Sequence, residues 1–270
     1  MGPDRATRWV RAWADHEWTQ VGGRRLHAAA AGAPGLPTVV MVHGQGVSHR
    51  YLRPVADRLS QVARVVALDL PGFGLSPAAP DDVLDLAGLS SALLGWLAAT
   101  GREGAVVVGH STGCQVVVDA AVRSPASVGP LVLAGPTVDA SARSWPRQAA
   151  RLLADLAVER PDLLPLLLDD YRRCGARRFV RTFDHMLADR VEDRVALLRG
   201  PVVLVRGQLD LVSPRAWNRE LARRLHDGRL TEVPGAGHNI GWTRAEVLAQ
   251  VLRDVGADAV DAGDAVRSSG

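Results

Sequence analysis

The stretch Gly109-His110-Ser111-Thr112-Gly113 decides the fold. It directly follows an apolar run, Ala105-Val106-Val107-Val108, and directly precedes Gln115-Val116-Val117-Val118-Asp119-Ala120-Ala121. A strand that turns sharply into a helix at G-x-S-x-G holds its serine in a strained backbone conformation, with Oγ standing clear of the sheet. Glycines two before and two after are needed because a Cβ there collides with the tight turn. The pentapeptide alone recurs by chance in glycine-rich loops. Its setting, strand before and helix after, is what gives it weight.

Working outward, Thr38-Val39-Val40-Met41-Val42, Val65-Val66-Ala67-Leu68, Leu131-Val132-Leu133-Ala134 and Val202-Val203-Leu204-Val205 are short apolar runs bounded by turn residues. Such runs mark strands buried on both faces. Helical spacing separates them over 50–60, 83–99 and the segment from the serine turn to about Arg123. Trp18 to Val21 and Arg25 to Ala31 flank Gly22-Gly23 and predict a hairpin. Between Gly135 and Gly200 there is no strand pattern, only helical ones. Later, Ser213-Pro214 predicts an N-cap with proline at the first helical position. Arg229 to Val233 predicts a last short strand, and Thr243-Arg244-Ala245-Glu246 a capping box opening a helix to about Val255. Alternating strands and helices of this kind imply a mostly parallel sheet covered on both faces. The helical block enters after a strand's carboxyl end, so it should lie over the ligand crevice.

These patterns predict a core over 18–135 and 200–255 and a helical cap over 136–199. Residues 5 to 16, with Trp9, Val10 and Trp13 at helical spacing, predict an amphipathic helix in an N-terminal extension over 1–17. The Gly-, Asp-, Ala- and Ser-rich stretch 256–270 predicts a disordered tail.

Composition narrows the class. The chain has 270 residues, 47% hydrophobic and 23% charged, as in ordinary globular domains. The net charge is +3 and every one of the 32 basic residues is arginine, a usage that reads as codon bias. Acids interrupt the arginines throughout, so no basic stripe points to nucleic acid. Two cysteines, Cys114 and Cys174, make no disulfide framework or metal pattern, and Cys114 reads as a small buried filler. No segment resembles a signal peptide or a membrane span. The expectation is a cytoplasmic protein, monomer or homodimer, with no nucleic acid or membrane partner.

A serine hydroxyl is a poor nucleophile until a base, an orienter for that base and donors for the oxyanion surround it. Among eight histidines, His238 lies in a glycine-flanked loop, Gly235-Ala236-Gly237-His238-Asn239, after the last strand. That places it at the sheet edge where Ser111 is expected. His110 shares the turn but must point elsewhere and reads as packing. His16, His27, His49, His185 and His226 fall in helical or hairpin segments and read as surface residues. Asp210, after the strand Val202 to Val205, can fix the imidazole tautomer. Asp139 competes but reads as a cap for the helical insertion.

The order Ser111, Asp210, His238 is that of the α/β-hydrolase fold. Here the chain resembles that family in three further stretches. His43-Gly44-Gln45-Gly46 matches its H-G-x-G oxyanion motif, Asp69-Leu70-Pro71-Gly72-Phe73-Gly74-Leu75-Ser76 its D-x-P-G-x-G-x-S loop, and Gly235-Ala236-Gly237-His238 its Gly-x-Gly-His turn. The resemblance covers about residues 20 to 255. It implies an eight-stranded, mostly parallel sheet with an antiparallel second strand, and a helical cap between strands six and seven. It also implies an oxyanion hole from the backbone N–H groups of Gln45 and Thr112. The Gln45 side chain then either touches substrate or braces its loop, while His43 supports the loop. Phe73, Phe183 and Met186 are the candidates, with Gln45, for the substrate pocket.

The expected activity is serine hydrolysis of a small or medium apolar carboxylic ester with water, without cofactor or metal. A serine nucleophile argues against haloalkane dehalogenase or epoxide hydrolase activity, which this family runs with aspartate. The alternatives are cleavage of a carbon–carbon bond in a vinylogous diketone, lactonase or thioesterase activity, and a ligand-binding receptor that retains the triad.

Overall fold

The computed structural model describes residues 13–79 and 81–268, with side chains to residue 258. Its centre is a set of parallel strands read directly from apolar runs: β3 (Thr38–Val42), β4 (Arg64–Leu68), β5 (Val106–His110), β6 (Leu131–Ala134) and β7 (Val202–Gly207). Alternate residues of each run serve opposite faces. Val40 and Val42 of β3, with Val66 and Leu68 of β4, enter one core layer. Val39 and Met41, with Val65 and Ala67, enter the other. This period of two explains why no polar residue interrupts the runs.

The hairpin β1 (Asp15–Val21) and β2 (Arg24–Ala31) closes one edge and β8 (Gly228–Val233) the other. The strand order is β1-β2-β4-β3-β5-β6-β7-β8. Strand β2 is antiparallel to both neighbours, and every other pair is parallel. This is the eight-stranded, mostly parallel sheet that the resemblance implied.

Helices α2 (Leu86–Ala99) and α3 (Gly113–Arg123) cover one face, where Trp96, Leu93, Val117 and Leu133 are fully buried. Helix α1 (Arg53–Leu59) covers the other, with the last helix packed beside it. Three helices, α4 (Trp145–Asp155), α5 (Leu164–Cys174) and α6 (Ala176–Ala188), follow β6 and lie above the strands' carboxyl ends. The next, α7 (Val191–Val195), buries Val191 and Val195 in the core with α8 (Arg215–Arg224). Helix α7 falls within the span 136–199 expected for a cap.

Four local expectations change. Residues 13–16 are not helical: Asp15 and His16 open β1 opposite Ala30 and Ala29, where ladder hydrogen bonds outweigh a weak helical pattern. The part of that helix over 5–12 lies outside the described residues. Ser213 does not cap α8, because its hydroxyl donates to the Pro136 carbonyl at 2.7 Å and Pro214 holds the N-cap position. Thr243 ends the short helix α9 (Ile240–Thr243), its hydroxyl donating to the Asn239 carbonyl. Finally, α10 (Ala245–Ser268) continues past Val255 through the stretch expected to be disordered.

The turn between β5 and α3 is packed backbone to backbone. A Cβ on Gly113 would lie 2.5 Å from the His43 carbonyl oxygen and 2.6 Å from that of Val42. In an ordinary helix Gly→Ala stabilises by about 0.5–1 kcal/mol. Here the sign reverses: Gly113→Ala should cost about 1–3 kcal/mol through overpacking. Urea unfolding of the two proteins, followed by circular dichroism, measures the difference, and a more stable variant would contradict this packing.

Candidate active site

The carboxyl ends of the parallel strands deliver every residue of the site. Strand β5 ends at His110 and α3 starts at Gly113, leaving two residues for the reversal. Ser111 takes φ 55°, and no other non-glycine residue among those described has positive φ. Such a conformation costs about 1–2 kcal/mol for an L-residue and persists only where the surroundings hold it. They do: the Ser111 amide donates to the Ala134 carbonyl at 2.9 Å, and its carbonyl accepts from the Cys114 amide.

Ser111 Oγ lies 2.9 Å from His238 Nε2, and His238 Nδ1 lies 3.0 Å from Asp210 Oδ2. Asp210 follows β7, and its Oδ1 accepts the amides of Val212 and Ser213 at 2.9 and 2.8 Å. With Nδ1–H donating to the carboxylate, Nε2 is left to accept the serine proton. Burial opposes charging of His238, but the Asp210 carboxylate outweighs it and raises the imidazole above its ordinary value. Gly135, at the end of β6, lies against this pair; a Cβ there would sit 3.0 Å from Nδ1 and 3.2 Å from Asp210 Oδ2. Asp139 is elsewhere. It caps the turn Ala140–Ala142 and pairs with Arg151 at 2.6 Å.

The loop after β3 faces the serine: a Cβ on Gly44 would touch that of Ser111 at 3.0 Å. Among the described residues, no loop or turn hydrogen bond takes the amide of Gln45 or of Thr112 as its donor. The Gln45 side chain braces, its Nε2 donating to the Phe179 carbonyl in α6 at 2.8 Å. His43 supports the same loop, accepting from the Leu70 amide and donating to the Gly44 carbonyl.

His110 does more than pack. Burial first, then neighbouring His238, push it down to about 3, so it is neutral. Its Nε2 donates to the His238 carbonyl at 3.0 Å, which leaves Nδ1 to accept from Tyr51 O–H at 2.8 Å. The Tyr51 oxygen in turn accepts the Gly44 amide at 3.0 Å. One chain of hydrogen bonds thus ties the Gly44 loop to the His238 loop. Tyr51 carried no sequence signal, because it sits in a short helical turn after the motif.

His27 and His49, expected at the surface, are buried. Both donate from Nδ1 to Asp69 Oδ2, at 2.8 and 2.9 Å, and that oxygen also accepts the Leu75 amide. Burial works against ionisation of Asp69, yet these imidazoles hold its carboxyl well below the usual range. Among the described residues this trio is the one grouping of metal-binding type. Its ligand atoms are already engaged with one another, and they anchor the loop behind His43.

Above Ser111 lies a cavity of about 310 Å³. Trp145, Leu152, Leu156, Leu167, Phe179 and Phe183 give it apolar walls, and Gln45 and His238 stand on its floor. Of the expected pocket residues, Phe183 and Gln45 are there. Phe73 instead packs behind His43, ring centroids 5.3 Å apart, and Met186 is buried in the core. Two cap carboxyls reach the cavity, Asp155 and Glu159. No spacing in the sequence singled them out. A separate hollow of about 410 Å³ beside Trp13, His49 and Arg50 lies away from Ser111. Among the described residues no helix is long and apolar enough to cross a membrane.

The chain is 24% identical over 249 residues to the uncharacterized hydrolase YugF of Bacillus subtilis, covering 82% of this chain and 90% of that one. It is 27% identical to a pimeloyl-acyl-carrier-protein methyl ester esterase of Neisseria meningitidis, over 80% of this chain and 91% of the relative. The crystal structure of a bacterial membrane phospholipase A superposes with a TM-score of 0.80 at 21% identity, over 94% of this chain and 89% of that one. The model of the alpha/beta hydrolase family matches residues 39–251, and the chain belongs to that family.

Proposed function

We propose that this protein is a serine hydrolase that cleaves a small or medium-sized apolar carboxylic ester. The observation that carries the reading is the line Ser111 Oγ, His238 and Asp210, at 2.9 and 3.0 Å, on the floor of an apolar cavity. Ser111 Oγ attacks the ester carbonyl while His238 Nε2 takes its proton. The carbonyl oxygen becomes an oxyanion held by the amides of Gln45 and Thr112, each such donor contributing about 3 kcal/mol. The tetrahedral intermediate collapses, and His238 gives its proton to the departing alkoxide. Water, deprotonated by His238, then attacks the acyl-enzyme and releases the acid and Ser111.

The site chemistry favours an uncharged substrate. The walls are leucine and aromatic, and the carboxyls of Asp155 and Glu159 among them disfavour a carboxylate or phosphate. The relative named as a methyl ester esterase supports ester cleavage.

A fluorophosphonate probe should label the wild-type protein and leave Ser111→Ala untouched; a labelled variant would move the nucleophile elsewhere. Asp210→Asn should lower kcat roughly 10³- to 10⁴-fold, whereas Asp139→Asn should keep near-normal turnover in the same assay. The reverse pattern would transfer the acid's role to the end of β6. On a panel of p-nitrophenyl esters beside a vinylogous diketone, esters of apolar acids should turn over fastest. Turnover of the diketone alone would replace ester hydrolysis with carbon–carbon cleavage.

A further inference from the structure

The loops bearing His238 and Asp210 are gripped from the cap. Asp155, the last residue of α4, is 1% exposed. Its Oδ2 accepts the backbone amide of His238 at 3.2 Å, and its Oδ1 accepts that of Leu211, next to Asp210, at 3.2 Å. Four residues on, Glu159 Oε1 accepts the amide of Asn239 at 2.6 Å. Gly237 makes this approach possible, since a Cβ there would sit 2.8 Å from Glu159 Oε1. Two cap carboxyls therefore take three amides from the two loops that set the Ser111–His238–Asp210 distances.

The remaining oxygen, Glu159 Oε2, is buried and has no hydrogen-bond partner. Burial first, with Asp155 adding to it, raises Glu159 above the ordinary carboxylate range, against the pull of the Asn239 amide. A Glu159 carboxyl that holds its proton carries a donor on that orphaned oxygen.

We propose that Asp155 and Glu159 form a carboxyl latch, borne by the helical block, which positions His238 against Ser111. This rests on the reading of His238 as the general base. The latch acts in two ways. It holds the His238 and Leu211 backbones in place, and its negative charge adds to that of Asp210 in stabilising the imidazolium formed during attack. The other titratable groups facing His238 are Asp210, Ser111 and the neutral His110, whose ring centroid is 5.0 Å away.

The test is the rate of fluorophosphonate labelling together with kcat, KM and the pH dependence of kcat/KM on a neutral ester. Asp155→Ala should slow labelling and lower kcat by up to about 100-fold, the cost of a misplaced catalytic group, with KM little changed. Its acidic limb in kcat/KM should move to lower pH, because His238 loses a favourable charge. A variant that merely loosened the fold would not move that limb. Glu159→Gln keeps an acceptor for Asn239 and a donor for Asp155, so it should recover most of what Glu159→Ala loses. Wild-type labelling with unaltered Asp155→Ala kinetics and limb would overturn the latch alone, as would Glu159→Gln being as impaired as Glu159→Ala. A wild-type protein that the probe never labels would overturn the hydrolase reading, and the latch with it.

Discussion

The handover from β5 to α3 within two residues forces Ser111 to φ 55°, and much of the surrounding architecture keeps it there. The reversal works only because α3 approaches the backbone of β3 at Gly113 and folds back on β5 at Gly109, where a Cβ would lie 2.7 Å from the Cys114 Cα. Those contacts draw β3, β5 and α3 into one rigid corner. The loop after β3 is thereby delivered beside the serine, and the Ala134 carbonyl of β6 pins the Ser111 amide from the other side. A strained serine is stable because three strands and a helix leave it no alternative.

Around that corner the protein manages buried carboxylates, each in its own way. Asp69 is matched by two imidazoles and by the amides of His49 and Leu75. Asp210 is matched by one imidazole and two amides. Asp155 takes two loop amides and Glu159 one. In a low-dielectric interior an unmatched carboxylate is costly, so each of these groups fixes the loops that satisfy it. The same bonds that neutralise the charge set the geometry of the site.

The strands were legible because a strand covered on both faces leaves a local trace, as in Thr38 to Val42 or Leu131 to Ala134. Ser111, Asp210 and His238 were legible for a related reason: each stands in a glycine- or turn-marked loop just past such a run. The misreadings share a cause too. Ser213 and Thr243 looked like helix caps, but their hydroxyls found the carbonyls of Pro136 and Asn239. Phe73 and Met186 lie near the site in sequence pattern, yet their side chains point behind the loop and into the core.

Sequence alone determined the alternation of elements, the sharp serine turn and the order of the three residues, because each is written in neighbours along the chain. Only tertiary structure decided which polar groups meet. His27 reaches Asp69 across 42 residues, Asp155 reaches His238 across 83, and Ser111 reaches His238 across 127. Such pairings leave no periodicity to read. They exist because parallel strands bring their carboxyl ends to one edge and helices α4 to α6 line the cavity there, so the serine turn is recognisable by itself while its environment is a property of the whole fold.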